Sequence, residues 1–313
     1  MQSTAAGALG AFLAGTDKEA ALRGAAPRRA PRVGICDWSI GNTAEPAAAA
    51  AAAHAGLHGL QVSIGTSPDS IPLRNPNIRR TYIDLATEYD IAYPSVAAGS
   101  ILNEIPLMSE PQSAVYVIDA VEAAAALGAE NVLMAFFGNG DLRLRDSTGN
   151  FRNVSDGPYA EYELDTEGVT RVVEALRQIV PRAEAADVVL GLENTITARQ
   201  NLEIIDRVGS DQVRVYYDTG NSQAYGYDVP GEIRLLGTEM ICEMHVKETL
   251  SLRDPMTPVL GGPSEGGVDF AAVAQAVRDI GYNGWFVIES GGRDGSELED
   301  TRANLAFVER TFG

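Results

Sequence analysis

Histidine is scarce in this chain of 313 residues, which has three: His54, His58 and His245. A site that needs a histidine cluster cannot be assembled from them. Cysteine is scarcer still. Cys36 and Cys242 are the two present, and both sit in apolar runs, so they read as small buried hydrophobes and not as a disulfide framework. Positive charge is also short: 24 Lys and Arg stand against 43 Asp and Glu, a formal net charge of −19. A surface this acidic repels nucleic acid and anionic lipid, whose binding depends on neutralising phosphate, so neither partner is expected. No apolar run approaches the ~18 residues of a membrane-spanning helix. A glycine-rich phosphate loop is missing as well, because the turn after the first apolar run reads Cys36-Asp37-Trp38-Ser39-Ile40-Gly41.

What is present is enough for a large core: 45% of residues are hydrophobic, with 32 Gly and 15 Pro for turns. Residues 1–31 stand apart. Thr4–Gly15 is a short apolar region ending in small residues, followed by an Ala-rich polar stretch to Pro31. It resembles the central part of a twin-arginine export signal whose Arg-containing front is lacking, since the chain begins Met1-Gln2-Ser3. Read as a truncated signal, it implies export to the periplasm; read as an Ala/Gly leader, it leaves the protein cytoplasmic. Either way the folded domain is expected at 32–313.

Across that domain, short apolar runs alternate with helical patterns. Strands are expected at Arg32–Cys36, Gly59–Ile64, Ile91–Val96, Asn131–Phe136, Val188–Leu192, Gln212–Tyr217, Met240–Val246 and Trp285–Ile288. Helices are expected at Glu45–Ala55, from Asn75-Pro76 onward, at Pro111–Leu127, from an Asp165 cap to Ala186, and at Ala198–Val208. Three more follow at Glu232–Leu236, Phe270–Ile280 and Leu298–Arg310. Strands buried on both faces read as unbroken apolar runs, as these do. The economical solution is a single (β/α)8 TIM barrel, with a doubly wound sheet as the runner-up.

In such a barrel, chemistry sits where strands end. Four successive strands end on Leu192-Glu193-Asn194, Tyr217-Asp218-Thr219, Met244-His245-Val246-Lys247 and Ile288-Glu289-Ser290. Each ionisable group follows an apolar run, where it is costly unless paired or metal-bound. Three crowded carboxylates repel one another unless a cation lies between them. Three oxygens and an imidazole, from Glu193, Asp218, Glu289 and His245, suit one divalent ion: Mn²⁺ first, with Mg²⁺ or Co²⁺ as alternatives to it.

These motifs resemble the xylose isomerase-like TIM barrel superfamily, in its sugar phosphate isomerase/epimerase branch. The resemblance rests on Leu192-Glu193-Asn194, Tyr217-Asp218-Thr219-Gly220-Asn221 and His245-Val246-Lys247-Glu248. Gly266-Gly267-Val268-Asp269-Phe270 and the segment from Gly281 to Glu289 reinforce it. For ketose 3-epimerases of this type it implies that the four matching residues hold one metal, with Glu193 and Glu289 also serving as acid and base. The implied reaction is proton transfer α to a ketose carbonyl through an enediolate, giving epimerisation or aldose–ketose isomerisation. A lyase acting on keto-glycosides with the same site, and a sugar-binding protein without turnover, are the rival readings. The expected partner is a small-molecule sugar, with a homodimer as the assembly. Sugar contacts are expected from Asn194, Asn221, Lys247 and Trp38. Asn221 stands where relatives often have histidine, which argues against a second metal. The shortage of histidine and the acidity also exclude the DNA-repair branch of the superfamily. Arg214 and Glu243 are expected to form an ion pair near the barrel floor, His54 and His58 to lie away from the chemistry, and the long loop Phe137–Leu164 to fold over the site or form a solvated insertion.

Overall fold

The structure, a computed structural model, describes residues 30–248, 257–261, 267–291, 293 and 295–313. The expected leader therefore lies almost wholly outside the described residues, as does Gly266. Among the described residues, no helix is long and apolar enough to cross a membrane.

Eight parallel strands close a barrel in chain order: β1 Arg32–Cys36, β2 Gly59–Ser63, β3 Ser95–Ala97, β4 Asn131–Phe136, β5 Val189–Asn194, β6 Val213–Asp218, β7 Ile241–Val246 and β8 Trp285–Ile288. The outer helices are α1 Ala47–Ala55, α2 Pro76–Tyr89, α4 Ala114–Leu127, α5 Thr166–Ala186, α6 Ala198–Val208, α8 Val229–Met240, α9 Phe270–Ile280 and α10 Glu297–Phe312. Two short helices, α3 Gly99–Glu104 and α7 Thr219–Tyr225, follow β3 and β6 directly.

Helix starts are where side-chain caps stand. Asn75 accepts from the Asn77 N–H ahead of Pro76, Asp165 from Gly168, and Asp269 from Ala272, while Thr197 and Gln200 form a reciprocal capping box. The alanine run of α1 buries Ala48, Ala49, Ala52 and Ala55, whose small side chains let the helix approach the barrel closely. The strand expected from Ile91 starts late, at Ser95, because Pro94 has no N–H to give to a ladder.

One irregularity matters for the site. Along β6 and β7, Val215 pairs with Ile241 but Tyr216 pairs with Glu243, and Asp218 then lies opposite His245. The expected Arg214–Glu243 ion pair does not form, since Tyr216 and not Arg214 lies opposite Glu243. Arg214 donates instead to the Asp211 carbonyl, and Glu243 is fully buried against Ser95, Tyr216 and Asn131.

The loop after β4 is a folded excursion of three antiparallel bridges, Arg143 to Leu164, Arg145 to Phe151 and Asn153 to Tyr162. Arg143 forks onto Asp141 at 3.0 and 2.7 Å, and its guanidinium lies over the rings of Phe151, Tyr162 and Tyr225. Asp141 in turn accepts from the Thr195 hydroxyl at 2.6 Å, which fastens the loop to the end of β5.

Candidate metal centre and active site

The C-terminal ends of β5, β6, β7 and β8 bring Glu193, Asp218, His245 and Glu289 together. One ligand atom from each lies within 4.8 Å of the others. His245 Nδ1 is 3.3 Å from Glu193 Oε1, 3.4 Å from Glu289 Oε2 and 3.8 Å from Asp218 Oδ2. His245 is fully buried, Glu193 and Asp218 nearly so, and the Glu289 side chain is 12% exposed.

Each acid is held from outside the cluster. Asp218 Oδ1 accepts the Asn221 N–H at 2.8 Å and so caps α7. Glu193 Oε1 accepts from Asn221 Nδ2 at 3.2 Å. Glu289 takes Trp38 Nε1–H at 3.1 Å on one oxygen and Lys247 Nζ at 2.8 Å on the other. Gly220 permits this closeness: a Cβ there would stand 2.7 Å from Lys247 Cγ and 2.9 Å from its carbonyl oxygen.

The electrostatics are uneven. Burial, with Glu289 and Asp218 adding repulsion, pushes the Glu193 carboxyl up to about 7 despite His245 beside it. Burial also works against charge on Asp218, but Lys247 and His245 outweigh it and hold that carboxyl well below the usual range. Burial opposes charge on His245 too, yet Cys36, Glu193 and Asp218 raise it well above an ordinary imidazole. The buried Cys36 thiol is pushed up to about 12.

One atom tests whether a cation belongs here. Asp218 Oδ2 is buried and has no hydrogen-bond partner; Lys247 Nζ is its ion-pair neighbour at 3.6 Å, and His245 Nδ1 lies at 3.8 Å. A buried acceptor left unsatisfied costs about 1–3 kcal/mol, more when charged. Three carboxylates and one imidazole converging on that atom form a donor set that suits a divalent ion. The residues fit the metal.

Beside the cluster opens a cavity of about 420 Å³, within the usual size of small-molecule sites. Trp38, Asn221, Lys247, Glu193 and Glu289 line it, opposite an apolar wall that includes Ala97, Leu133, Ala135 and Phe137. Phe137 is the contribution of the long loop, whose remainder does not line the cavity. Asn194, expected at the sugar, does not line it either. Its amide is spent on Asn201 and on the Ile196 N–H. The other histidines are also occupied: His58 Nδ1 accepts the Val33 N–H, and His54 stacks edge-on against Tyr89.

Sequence reasoning passed over the layer behind His245. Gln61 Oε1 lies 2.9 Å from His245 Nε2 and accepts from Cys36 Sγ at 3.2 Å. The available signal was a glutamine inside an apolar strand, Leu60-Gln61-Val62, buried at every position; a polar side chain there must have partners.

Comparison with known proteins agrees with this architecture. A 2-epi-5-epi-valiolone 7-phosphate 2-epimerase from Actinoplanes is 26% identical over 280 residues, 89% of this chain and 94% of that protein. A D-psicose 3-epimerase from Enterocloster bolteae is 30% identical over 171 residues, covering 46% of this chain and 54% of its own length. The crystal structure of a D-psicose 3-epimerase with D-tagatose from Clostridium cellulolyticum superposes with a TM-score of 0.67 at 19% identity, over 90% of this chain and 99% of that one. Residues 49–311 match the family described as the xylose isomerase-like TIM barrel. With the closed barrel and its four strand-end groups, that match over most of the chain makes this protein a member of the xylose isomerase-like TIM barrel family.

Proposed function

We propose that the protein is a divalent-metal-dependent sugar isomerase or epimerase that moves a proton α to a ketose carbonyl through an enediolate. Glu193, Asp218, His245 and Glu289 hold the ion, with Mn²⁺ the expected metal, and Glu193 and Glu289 are the acid/base pair. The observation that carries this reading is which of the four reach the cavity. Glu193 and Glu289 line it, whereas Asp218 and His245 do not.

When bound, a divalent ion supplies the Lewis acidity that makes a proton next to a carbonyl removable. The remaining work falls to side chains. One glutamate removes the proton from the carbon and the other returns one from the opposite face, which inverts that carbon. Return to the neighbouring carbon instead gives aldose–ketose isomerisation. Burial raises the Glu193 carboxyl to about 7 in the metal-free site, and a bound ion would oppose that rise by favouring the carboxylate, the form that accepts a proton as a base. Trp38 and Lys247 fix both oxygens of Glu289, and Asn221 fixes Glu193. These three contacts limit how far either carboxylate strays from the proton it moves. Trp38, Asn221 and Lys247 also present groups to the cavity that can meet a sugar.

Incubating the Mn²⁺-loaded protein in D₂O with a panel of free and phosphorylated ketoses tests the proposal. Deuterium is expected α to the carbonyl of at least one of them. No exchange with any ketose overturns the assignment.

A further inference from the structure

His245 turns its two ring nitrogens to different surroundings. Nδ1 faces the three carboxylates, and Nε2 faces Gln61 Oε1 at 2.9 Å and Cys36 Sγ at 3.4 Å. A metal binds only a nitrogen without a proton, so the hydrogen bond of the other nitrogen decides which one is available.

Counting hydrogens behind Gln61 settles the direction of that bond. Glu243 is fully buried within the barrel. Its Oε1 meets the Ser95 hydroxyl at 2.8 Å and the Tyr216 hydroxyl at 2.7 Å, and its Oε2 meets Asn131 Nδ2 at 2.9 Å. Three donors converge on its two oxygens, the surroundings of an ionised carboxylate, which only accepts, so both hydroxyl hydrogens point at Glu243. Each hydroxyl has one hydrogen, and its oxygen can then only accept from any further neighbour. Gln61 touches both hydroxyls, at 2.8 and 2.7 Å. It must offer them its NH₂ group, which turns its carbonyl oxygen toward His245 and Cys36. Facing an acceptor, Nε2 must carry the proton. The Tyr216 ring, edge-on to the imidazole at 4.6 Å between centroids, leaves little room for the ring to turn over.

We propose that Glu243, acting through Ser95, Tyr216 and Gln61, fixes a proton on Nε2 of His245 and so reserves Nδ1 as the metal-binding nitrogen. None of the four is a catalytic residue; they are positioning residues one layer behind the site. The proposal rests on the metal-site reading above.

With three histidines in the chain, ¹⁵N-histidine-labelled protein gives an assignable ring spectrum. His245 is expected to show a protonated, exchange-protected Nε2 in the Zn²⁺-loaded protein and in the metal-free protein. A Zn²⁺-loaded protein with the proton on Nδ1 overturns the proposal. Failure of Zn²⁺ and Mn²⁺ to bind at all defeats the metal-site reading instead, and the proton is then read in the metal-free spectrum at a pH high enough for the ring to carry a single proton, where a proton on Nδ1 overturns the proposal.

The variant Glu243→Gln tests the chain. Its amide can donate to Ser95 or Tyr216, which releases a hydroxyl hydrogen toward Gln61 and lets the Gln61 amide turn its NH₂ to His245. The expected result is a proton wholly or partly moved to Nδ1 and a Mn²⁺ affinity about 10- to 100-fold weaker by calorimetry, the range for loss of a supporting partner. A folded Glu243→Gln protein with the Nε2 proton in place and unchanged affinity overturns the role of Glu243. Ser95→Ala provides the same reading with one link removed. It is expected to weaken Mn²⁺ binding less than Glu243→Gln and to broaden the Nε2–H signal, and an unchanged spectrum and affinity contradict the chain even if Glu243→Gln does not fold.

Discussion

Replacing Asp218 by asparagine separates the two jobs of its carboxylate. Oδ1 caps α7 through the Asn221 N–H at 2.8 Å, and Oδ2 points into the cluster without a hydrogen-bond donor. The substituted amide can keep the cap with its oxygen only by aiming its NH₂ at the place of the cation; turning the amide over spares the cation and loses the cap. Lys247 keeps Glu289 at 2.8 Å in either case, so the metal-free fold should change little, by about the 1 kcal/mol that a helix cap contributes. The metal should feel the substitution strongly. Losing a supporting partner weakens a metal site by about 10- to 100-fold, so losing a charged ligand should cost at least about 100-fold. At a Mn²⁺ concentration of about 100 times the native Kd, the native protein is stabilised by ~2.7 kcal/mol and the variant by only ~0.4 kcal/mol. For a barrel of this size that corresponds to a rise in Tm of about 5–8 °C against about 1 °C. Differential scanning fluorimetry after chelation, with Mn²⁺ then titrated back, measures both. Equal metal-induced shifts in Asp218→Asn and native protein would refute the reasoning, as would no shift in the native protein with Mn²⁺, Co²⁺ or Mg²⁺.

Three further outcomes follow from the site and its supports. Glu289→Gln, at saturating metal, should lower deuterium exchange into a responsive ketose by about 10²–10⁴-fold while sugar still binds; exchange within a few-fold of native removes Glu289 from the acid/base pair. Because burial holds a proton on Glu193 up to about 7, the ion must displace it at lower pH. It must also displace the proton that the raised His245 imidazole holds above its ordinary range, so Mn²⁺ affinity should rise with pH through 7 and beyond it, with proton release visible in calorimetry, and an affinity independent of pH contradicts this. Arg143→Met strands the buried Asp141 and should destabilise the fold by about 3–5 kcal/mol in urea unfolding, whereas a loss under about 1 kcal/mol shows the pair to be incidental.

Much of the barrel was legible because its boundaries are chemical. Asn75-Pro76 and Asp165 announce helices by their own capping groups, and strands such as Asn131–Phe136 are apolar because both faces are buried. The four strand-end groups were legible for the same reason: an acid after an apolar run is expensive unless something answers it. Helices α3 and α7 were not, since six and seven residues are too few to display a helical period. The Gln61–Ser95–Glu243 chain was hidden differently. Each member sits on a separate strand, and only barrel closure makes them neighbours. The Arg214–Glu243 pairing failed because a shared inward parity does not make two residues neighbours, and Tyr216, not Arg214, lies opposite Glu243. Asn194 shares its strand end with Glu193, but its alternation sends the amide to Asn201.

The clamp at Arg143 bears on how the protein would choose a substrate. Loops of this length over barrel mouths commonly act as lids that assemble a site upon binding. Here, lifting the loop would break what ties it to the barrel, namely the Thr195–Asp141, Gln200–Tyr162 and Ala160–Gly226 hydrogen bonds and the Arg143 guanidinium over Tyr225, at a cost of about 3 kcal/mol, so the raised form would hold on the order of one molecule in a hundred. Phe137 therefore meets each ligand as a standing wall. Under the proposed function, discrimination on that side would be by preformed shape, without a closing step whose energy a correct substrate would have to supply.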